Sequence, residues 1–411
     1  MKKRNHFGII LNNKVNKKGF VKKILSGDAP NQLAFFNKQR GILFSDLAIA
    51  DFIEKEHKHH TIEITQSENR QLKTFSSGER RKAYLEYCLN QDPDYIIFDN
   101  PFDHLDHQSR IDLSNRLLEL SKTISIIQLT NRKESFLPFI NNKWLIEDNS
   151  FQLSEINEVA QVIQNTFKSD VPSSLLSFNE QCKSIVKFDK VSVSYDEKPI
   201  IRDITWEVKK GEFWQLIGPN GSGKSTILSL ITGDNPKAYG QNITIFDKKK
   251  GSGESIWDLK KKIGHFSTNL TELFKRNHTV NQMILSGFYD SIGLYREPSD
   301  LQQQKVAQWL EVIKMSHLKN TYFNSLTLGQ QRLILIVRAL VKQPPLLILD
   351  EPVEGLDQEN AKLVTQLINT LINSTKITVL YVSHTVEKSL FPTNIYELIP
   401  SKNGSIGQLK F

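Results

Sequence analysis

Short apolar runs alternate with helical patterns along this sequence. Strand-like runs lie at Tyr95–Asp99, 125–129, Phe213–Ile217, Leu346–Asp350 and 378–382. Each run is short and rich in strand-forming residues, and helical patterns lie between the runs. This alternation is typical of a mostly parallel sheet covered by helices. The pattern therefore predicts an α/β fold.

The loop after Phe213–Ile217 is rich in glycine and precedes a helical pattern over residues 226–232. The residues that match a phosphate-binding loop are Gly218, Pro219, Asn220, Gly221, Ser222, Gly223, Lys224, Ser225 and Thr226. Glycines let backbone N–H groups approach phosphate oxygens, and the following helix adds its own free N–H groups. Lys224 is expected to reach the β- and γ-phosphates, and Ser225 is expected to ligate Mg²⁺.

A damaged copy of this loop lies near the start of the chain. The two copies align without a gap at an offset of 206 residues, which places Lys18 at the position of Lys224. Three glycines of the second loop are replaced in the first copy by Asn12, Val15 and Lys17. Side chains there occupy space that the backbone needs for close approach to phosphate. We expect two diverged copies of one domain, of which only the second binds nucleotide in the usual way.

The length of 411 residues suits two or three domains. The repeat predicts a degenerate domain over residues 1–149 and an intact domain over residues 186–411. Between them we expect a linker over residues 150–185, which begins with a helix at residues 154–167.

Composition and charge indicate the cellular compartment and the classes of partner. Cys88 and Cys182 stand in no metal-like spacing, as expected in a reducing cytoplasm. No apolar run approaches the roughly eighteen residues that span a bilayer, so we expect a soluble protein whose membrane role, if any, needs a separate subunit. A formal net charge of +8 is compatible with a nucleic-acid or anionic-membrane surface. Solvated lysine-rich faces are the simpler interpretation.

Two carboxylates follow one another where the run Leu346–Asp350 ends. Asp350 can hold Mg²⁺ through water, and Glu351 can polarise an attacking water as a general base. His384 comes just after the strand-like run at residues 378–382.

These motifs, in this order, resemble the ATP-binding-cassette family of P-loop ATPases. The resemblance assigns residues 218–225 to the Walker A loop, 326–330 to the signature, 346–352 to Walker B, 355–357 to the D-loop and His384 to the switch histidine. It implies ATP and Mg²⁺ as cofactors, with Tyr195 stacked on adenine and with Ser225 and Asp350 on the metal. The catalytic residues implied are Glu351, His384 and Lys224.

The first half repeats the set in altered form. At an offset of 251 residues, 75–79 matches the signature, 95–101 matches Walker B and 104–106 matches the D-loop. The offset grows by 45 residues after the first loop, so material between loop and signature has been lost from the first half. Asn100 stands in place of the catalytic glutamate and Asn131 in place of the switch histidine.

Family members pair two domains head to tail, so that one domain's signature closes the other's Walker loop. The resemblance implies that Ser76, Ser77 and Gly78 close the intact loop of the second half. At the opposite interface the damaged loop would face Leu328, which is large enough to crowd a phosphate. We therefore expect one hydrolytic site and one vestigial interface. Pairing of two chains through their second halves is the alternative.

One residue of the second half departs from the family pattern. Thr268 stands where the family places a glutamine that contacts Mg²⁺ or the attacking water, so turnover is expected to be slow. In the first half, residues 33–36 are expected to form the matching strand, which places Lys38 at the glutamine position.

Residues 251–258, 284–295 and 325–333 are similar to the ModF-type branch, whose tandem cassette proteins carry the labels molybdate transport and photorepair. The resemblance implies the ATP-binding component of a molybdate-type transporter, cytoplasmic or peripheral at the inner face of the plasma membrane, with a permease as partner. Two alternatives stay open: a soluble cassette factor that acts on ribosomes or nucleic acid, and a switch that closes on ATP with little hydrolysis.

Overall fold

A computed structural model of the chain describes residues 4–11, 15–59, 71–75, 77–102, 107–131, 135–146, 148–156, 167, 171–173, 182–253, 255–268, 270, 274, 277–387 and 389–410. The chain divides into two compact units, residues 1–161 and 162–411.

The first unit is built on a six-stranded sheet of order β2-β3-β4-β1-β5-β6, in which all neighbours are parallel except β5 and β6. The strands are β1 (His6–Leu11), β2 (Gly41–Phe44), β3 (Tyr95–Asp99), β4 (Ser125–Thr130), β5 (Asn142–Ile146) and β6 (Ser154–Glu155). The described helices are α1 (Lys17–Leu25), α2 (Asp46–His59), α3 (Ser77–Asn90) and α4 (His107–Leu120).

Both faces of this sheet are buried, which explains the unbroken apolar runs. On β3, Tyr95 and Ile97 pack into a cluster that contains Phe20 of α1. Ile96 and Phe98 point to the other face, into a cluster with residues of α3 and α4. Strands with two covered faces carry apolar residues at consecutive positions.

The second unit contains a six-stranded sheet of order β12-β13-β14-β9-β15-β16 and a four-stranded antiparallel sheet of order β11-β10-β7-β8. Its strands are β7 (Ser184–Tyr195), β8 (Lys198–Lys209), β9 (Phe213–Ile217), β10 (Ile243–Ile245), β11 (Lys248–Lys249), β12 (Ile263–Ser267), β13 (Leu346–Asp350), β14 (Thr378–Ser383), β15 (Asn394–Ile399) and β16 (Ile406–Lys410). Its described helices are α5 (Lys224–Thr232), α6 (Ile256–Lys262), α7 (Val280–Ser286), α8 (Asp300–Val312), α9 (Leu328–Leu340) and α10 (Gln358–Ser374).

The two large sheets have the same topology. Strands β1 to β6 occupy the places that β9 and β12 to β16 hold in the second unit. The α/β fold and the strands predicted at Tyr95–Asp99, Phe213–Ile217 and Leu346–Asp350 are confirmed. In the described part of the first unit there is no counterpart of the antiparallel sheet, of which β10 and β11 fall in the region between loop and signature that the first half has lost.

The strand expected at residues 33–36 is wrong. Those residues lie in a 3₁₀ helix, Asn31–Phe36, which buries Leu33 and Phe36 on one side and leaves Phe35 exposed. Apolar residues three apart share a face of such a helix, so the pattern did not distinguish it from a strand. The strand that matches β12 is β2, since each pairs in parallel with the Walker B strand of its unit.

The strand registers also correct the position that corresponds to Thr268. Ser267 pairs with Asp350, and Phe44 pairs with Phe98, one residue before Asp99. Thr268 therefore corresponds to Asp46, not to Lys38.

The linker expected over residues 150–185 is shorter at both ends. Ser154–Glu155 pairs with β5 as an edge strand, so the helix predicted at 154–167 does not begin there. The remaining part of that predicted helix, residues 157–166, lies outside the described residues. At the other end, β7 already begins at Ser184. None of the described helices is long and apolar enough to cross a membrane.

Candidate active site

The loop between β9 and α5 needs its glycines for conformation and for space. Gly221 and Gly223 have φ angles of 75° and 94°, in the left-handed region. A Cβ atom at Gly223 would lie 2.6 Å from Ile201 Cγ2, and one at Gly218 would lie 2.6 Å from Ser222 Oγ. The Ser222 hydroxyl is buried and makes no hydrogen bond to a described residue. The loop thus forms a tight turn that ends at the first N–H groups of α5.

Lys224 starts α5 and turns its ammonium back into this loop. Its Nζ donates to the carbonyl oxygens of Gly218 at 2.7 Å and Pro219 at 3.2 Å. It also lies 3.2 Å from His384 Nδ1. Because an ammonium group can only donate, Nδ1 is the acceptor in this contact, and the proton of a neutral His384 lies on Nε2.

Other residues of the loop and of the first turn of α5 are accessible to solvent. Asn220 and Ser225 are exposed, and Thr226 is half-buried in the first turn of α5. Ser225 therefore presents its hydroxyl where a ligand at the helix N-terminus can reach it. Hydroxyl and carboxylate oxygens, as offered by Ser225 and Asp350, are the donors that Mg²⁺ prefers.

Asp350 and Glu351 end β13 in a turn. Glu351 adopts a left-handed conformation with φ of 53°, and its N–H donates to Val382 O at 2.9 Å. Its Oε1 lies 2.9 Å from His384 Nε2. Burial raises the pKa of Asp350 to about 6, and the charge of Glu351 adds to the effect. Burial also raises the pKa of Glu351, against the hydrogen bond from His384.

A third carboxylate completes the group, and sequence reasoning missed it. Glu354 Oε1 lies 4.0 Å from His384 Nε2. One ligand atom from each of Glu351, Glu354 and His384 falls within 4.8 Å of the others. The signal was a glutamate four residues after Asp350, in the turn that follows Walker B.

Tyr195 ends β7, and its hydroxyl lies near the C-terminal end of the loop helix α5. Its hydroxyl accepts a hydrogen bond from Asn235 Nδ2 at 2.8 Å, and the same amide nitrogen lies 3.0 Å from Ser229 Oγ. The tyrosine remains 43% exposed. Asn235 therefore fixes an accessible aromatic residue to α5, a role that the sequence did not indicate.

Several known proteins are similar to this chain. The family model described as ABC transporter matches residues 201–354. The ABC transporter ATP-binding protein ModF of Escherichia coli (strain K12) is 40% identical over 342 residues, which cover 79% of this chain and 69% of ModF. The chain belongs to the ATP-binding-cassette ATPases.

Other relatives agree with this assignment. An uncharacterized ABC transporter ATP-binding protein of Schizosaccharomyces pombe, C323.04, is 30% identical over 325 residues, 76% of this chain and 65% of that protein. The chain thus spans about two thirds of the length of these two relatives. The archaeal ribosome recycling factor aABCE1, solved in complex with the ribosomal stalk protein aP1, matches with a TM-score of 0.64. That match has 16% identity and covers 98% of this chain and 85% of the other; at this identity it shows the fold alone.

The first cassette unit keeps the topology but rebuilds the Walker A loop. Helix α1 begins at Lys17, one position earlier than α5, and Asn16 caps it by accepting a hydrogen bond from Gly19 N at 3.0 Å. Val15 is buried, and Lys17 lacks the left-handed backbone of the glycine that it replaces. Asn12 lies outside the described residues.

In this unit, the lysine that contacts the Walker B strand is not the one that aligns with Lys224. Lys18, at the position of Lys224, is exposed. Lys17 instead places its Nζ 2.8 Å from Asp99 Oδ1. Because α1 starts one residue early, its side chains are rotated by about 100° relative to the alignment, which brings Lys17 to the inner side.

The turn after the Walker B strand keeps its backbone conformation in the first unit, but asparagine replaces the glutamate. Asn100 has φ of 44°, and its N–H donates to Leu129 O at 2.9 Å, as Glu351 does to Val382. The strand registers place Asn131 at the position of His384. An amide cannot act as the general base.

The two signature segments both open helices. Thr327 caps α9, and a Cβ atom at Gly329 would lie 2.0 Å from Asn360 Oδ1. Leu328 packs partly against the core of the second unit. In the first unit, α3 starts at Ser77, and a Cβ atom at Gly78 would meet none of the described atoms within 4 Å. Ser76 and the D-loop at residues 104–106 lie outside the described residues.

Proposed function

We propose that this chain hydrolyses ATP with Mg²⁺ at a single site. The second unit supplies its Walker loop, Asp350, Glu351 and His384, and Ser76, Ser77 and Gly78 of the first unit close the site. One observation carries the proposal. Glu351 Oε1 faces His384 Nε2 at 2.9 Å, whereas the first unit has Asn100 on the same backbone turn.

Each side chain has a separate role in this proposal. The N–H groups of the loop and the Lys224 ammonium bind the β- and γ-phosphates. Ser225 and Asp350 would hold Mg²⁺, which neutralises charge on the phosphates when it is bound. Glu351 orients the attacking water and accepts its proton.

The contact between Lys224 and His384 gives this site an order of events. Lys224 Nζ lies 3.2 Å from His384 Nδ1. A triphosphate offers Lys224 stronger, anionic acceptors, so the ammonium leaves His384. His384 is then able to turn its Nε2–H towards the γ-phosphate, while Glu351 becomes available to water.

The first unit acts as a partner domain rather than a second ATP site. Its own ammonium, Lys17, occupies Asp99, the carboxylate that would help to hold a metal ion. Val15 and Lys17 remove the backbone freedom that a phosphate cradle requires. What the first unit keeps is the start of α3, where no described atom lies within 4 Å of a Cβ position at Gly78, and this leaves room for a signature contact.

Steady-state ATP turnover of Ser76→Arg and Thr327→Arg variants tests this proposal. We expect Ser76→Arg to lower turnover by at least about tenfold, because an arginine blocks the donors that face the γ-phosphate. Thr327→Arg should leave turnover within about twofold of the wild type, provided that melting curves show the loss of the α9 cap to be tolerated. Loss with Thr327→Arg alone would mean that second units of two chains pair, and loss with both would exclude a single site.

The role of the ATPase is proposed from its relatives. ModF and the yeast protein are named ABC transporter ATP-binding proteins. We infer that this chain energises a separate membrane permease, with an oxyanion of the molybdate type as cargo. The cargo rests on resemblance to the ModF branch.

A further inference from the structure

The ring of Tyr195 lies within reach of a base that is joined to a phosphate chain in the Walker loop. Strand β8, which pairs with β7, packs against this loop, because a Cβ atom at Gly223 would lie 2.6 Å from Ile201 Cγ2. One amide nitrogen lies 2.8 Å from the Tyr195 hydroxyl and 3.0 Å from Ser229 Oγ, five residues after Lys224. Five residues of α-helix span about 7.5 Å, a distance that a ribose and a base can bridge. The tyrosine is 43% exposed and so can be reached by a base.

The amide belongs to Asn235, which is only 4% exposed and uses both polar atoms of its side chain. Its Nδ2 donates to the hydroxyls of Tyr195 and Ser229, and its Oδ1 accepts a hydrogen bond from Lys237 N at 3.0 Å. Ser229 Oγ in turn donates to Thr226 O at 2.8 Å. A chain of hydrogen bonds therefore runs from the first turn of α5 to the tyrosine hydroxyl.

Two further amide side chains of the segment after α5 hold the body of β7. Gln241 Nε2 donates to Ser192 O at 2.8 Å, and its Oε1 accepts from Ser192 N at 3.4 Å. Asn242 Nδ2 donates to Asp189 Oδ2 at 2.7 Å. These contacts lie three and six positions before the aromatic residue that ends the strand. Asn235 differs from both, because it binds the aromatic side chain itself.

A fixed ring binds a base more tightly than a mobile one. A free tyrosine loses rotamer freedom when a base stacks on it, and that loss weakens binding. Asn235 is buried and hydrogen-bonded to α5, so Tyr195 has already lost this freedom in the folded protein. Stacking on an aromatic face depends on the presence of the base and not on the phosphates.

We propose that Asn235 is a positioning residue for the nucleotide base, which holds the Tyr195 ring in the orientation in which the base stacks on it. The proposal rests on the function proposed above and adds the residue that sets affinity for the base. Asn235 acts through Tyr195, whereas Lys224 binds the phosphates. Its contribution therefore requires a ligand that carries a base, and it falls on binding rather than on the hydrolytic step.

Two ligands that differ in the nucleoside test this proposal. Calorimetry compares a non-hydrolysable ATP analogue with inorganic tripolyphosphate, each with Mg²⁺. Asn235→Ala and Tyr195→Phe should each raise the Kd for the analogue about fivefold, as expected for one lost hydrogen bond, and leave the Kd for tripolyphosphate within about twofold. Tyr195→Phe keeps the ring and decides the question if Asn235→Ala fails to fold. Equal weakening of both ligands would mean that the contact supports only the fold of α5, and would overturn the proposal.

A double-mutant cycle shows whether the two side chains act through one contact. The variant with both Asn235→Ala and Tyr195→Phe should bind the analogue no more weakly than the weaker single variant, because both changes remove the same hydrogen bond. Tyr289→Phe is the matched control, since the Tyr289 hydroxyl also forms a 2.8 Å hydrogen bond with an amide side chain, that of Gln302. This control should bind both ligands as the wild type does. Multiplicative losses in the double variant, or an equal loss in Tyr289→Phe, would contradict the proposal.

Steady-state turnover separates base binding from hydrolysis. Asn235→Ala should raise the KM for ATP about fivefold and leave kcat within about twofold of the wild type. Tyr195→Ala removes the ring itself and should raise the KM further than Tyr195→Phe does. A fall in kcat with an unchanged KM in Asn235→Ala would overturn the positioning role.

Failure of the proposed function would look different. Lys224→Ala should abolish binding of both the analogue and tripolyphosphate, since it removes the ammonium that binds the phosphates. If it does so while Asn235→Ala binds the analogue as the wild type does, only the positioning role is wrong. If the wild-type chain binds neither ligand, the proposed function itself fails, and the positioning role fails with it.

Discussion

At the scale of single residues, Lys17 provides a counterion for Asp99 in the unit whose Walker A loop is altered. Its ammonium lies 2.8 Å from Asp99, with 37% of the lysine side chain and 16% of the aspartate side chain exposed. The unit retains a partly buried carboxylate from its Walker B strand, and loss of both nucleotide and metal would leave that charge without a counterion. Lys17 supplies the counterion from within.

A prediction follows for this ion pair. Lys17→Met should lower the free energy of unfolding of the first unit by up to about 1 kcal/mol, a modest effect because the lysine is partly exposed to solvent. Urea denaturation measures it, with Lys18→Met as the matched control, since Lys18 is exposed at the neighbouring position. An equal loss in both variants would mean that the Asp99 contact adds nothing. ATP turnover should be the same in all three proteins.

At the scale of elements, the two loop helices differ in how they begin. Helix α5 follows Gly223, whose left-handed backbone leaves the first N–H groups of the helix open. Helix α1 follows Asn16, whose side chain already accepts a hydrogen bond from one of those N–H groups. A side-chain cap and a phosphate compete for the same donors. The way each helix starts therefore decides whether it can bind an anion.

Gly223→Ala tests the importance of this helix start. The Cβ atom would lie 2.6 Å from Ile201 Cγ2, and the φ of 94° disfavours any side chain. We expect a loss of about 2 to 3 kcal/mol in stability and weaker ATP binding, measured by thermal melting and by titration with a fluorescent ATP analogue. Gly240→Ala provides the control, because its φ is also positive but its Cβ would have open space. Matching losses in both variants would show that the contact with Ile201 is unimportant.

At the scale of the whole molecule, two cassette units of one topology have diverged in opposite ways. The second unit keeps the antiparallel sheet, the Walker loop and the carboxylate–histidine group. The first unit keeps the parallel sheet and the start of its signature helix. If the two units serve a permease, cargo transport and ATP turnover must be coupled through a partner protein.

This coupling leads to a prediction. In proteoliposomes that contain the cognate permease, we expect molybdate to stimulate ATP turnover by the bound chain severalfold, with sulfate and the Glu351→Gln variant as controls. Failure of the chain to bind those proteoliposomes would contradict the transport role. Salt-sensitive binding to RNA in the same preparation would instead support the alternative of a soluble factor, because phosphate contacts release counterions.

The sequence by itself determined much of this protein. The apolar runs at Tyr95–Asp99, Phe213–Ile217 and Leu346–Asp350 each become strands, because burial on both faces of a sheet leaves an unbroken apolar signal. The glycine spacing from Gly218 to Gly223 predicted the loop, because few other residues tolerate its backbone. Local conformation and burial are properties that a short stretch of sequence carries.

Only the tertiary structure decided which side chains meet. The alignment indicated Lys18, but an early helix start brings Lys17 to Asp99. The apolar residues 33–36 suited a strand as well as a 3₁₀ helix, and only the pairing of β2 with β3 showed that Asp46 holds the position in the first unit that Thr268 holds in the second. Glu354 was invisible as a site residue, because its approach to His384 joins two turns thirty residues apart in the sequence. Such contacts depend on the register of strands and the rotation of helices, which a change of one residue alters without changing the local pattern.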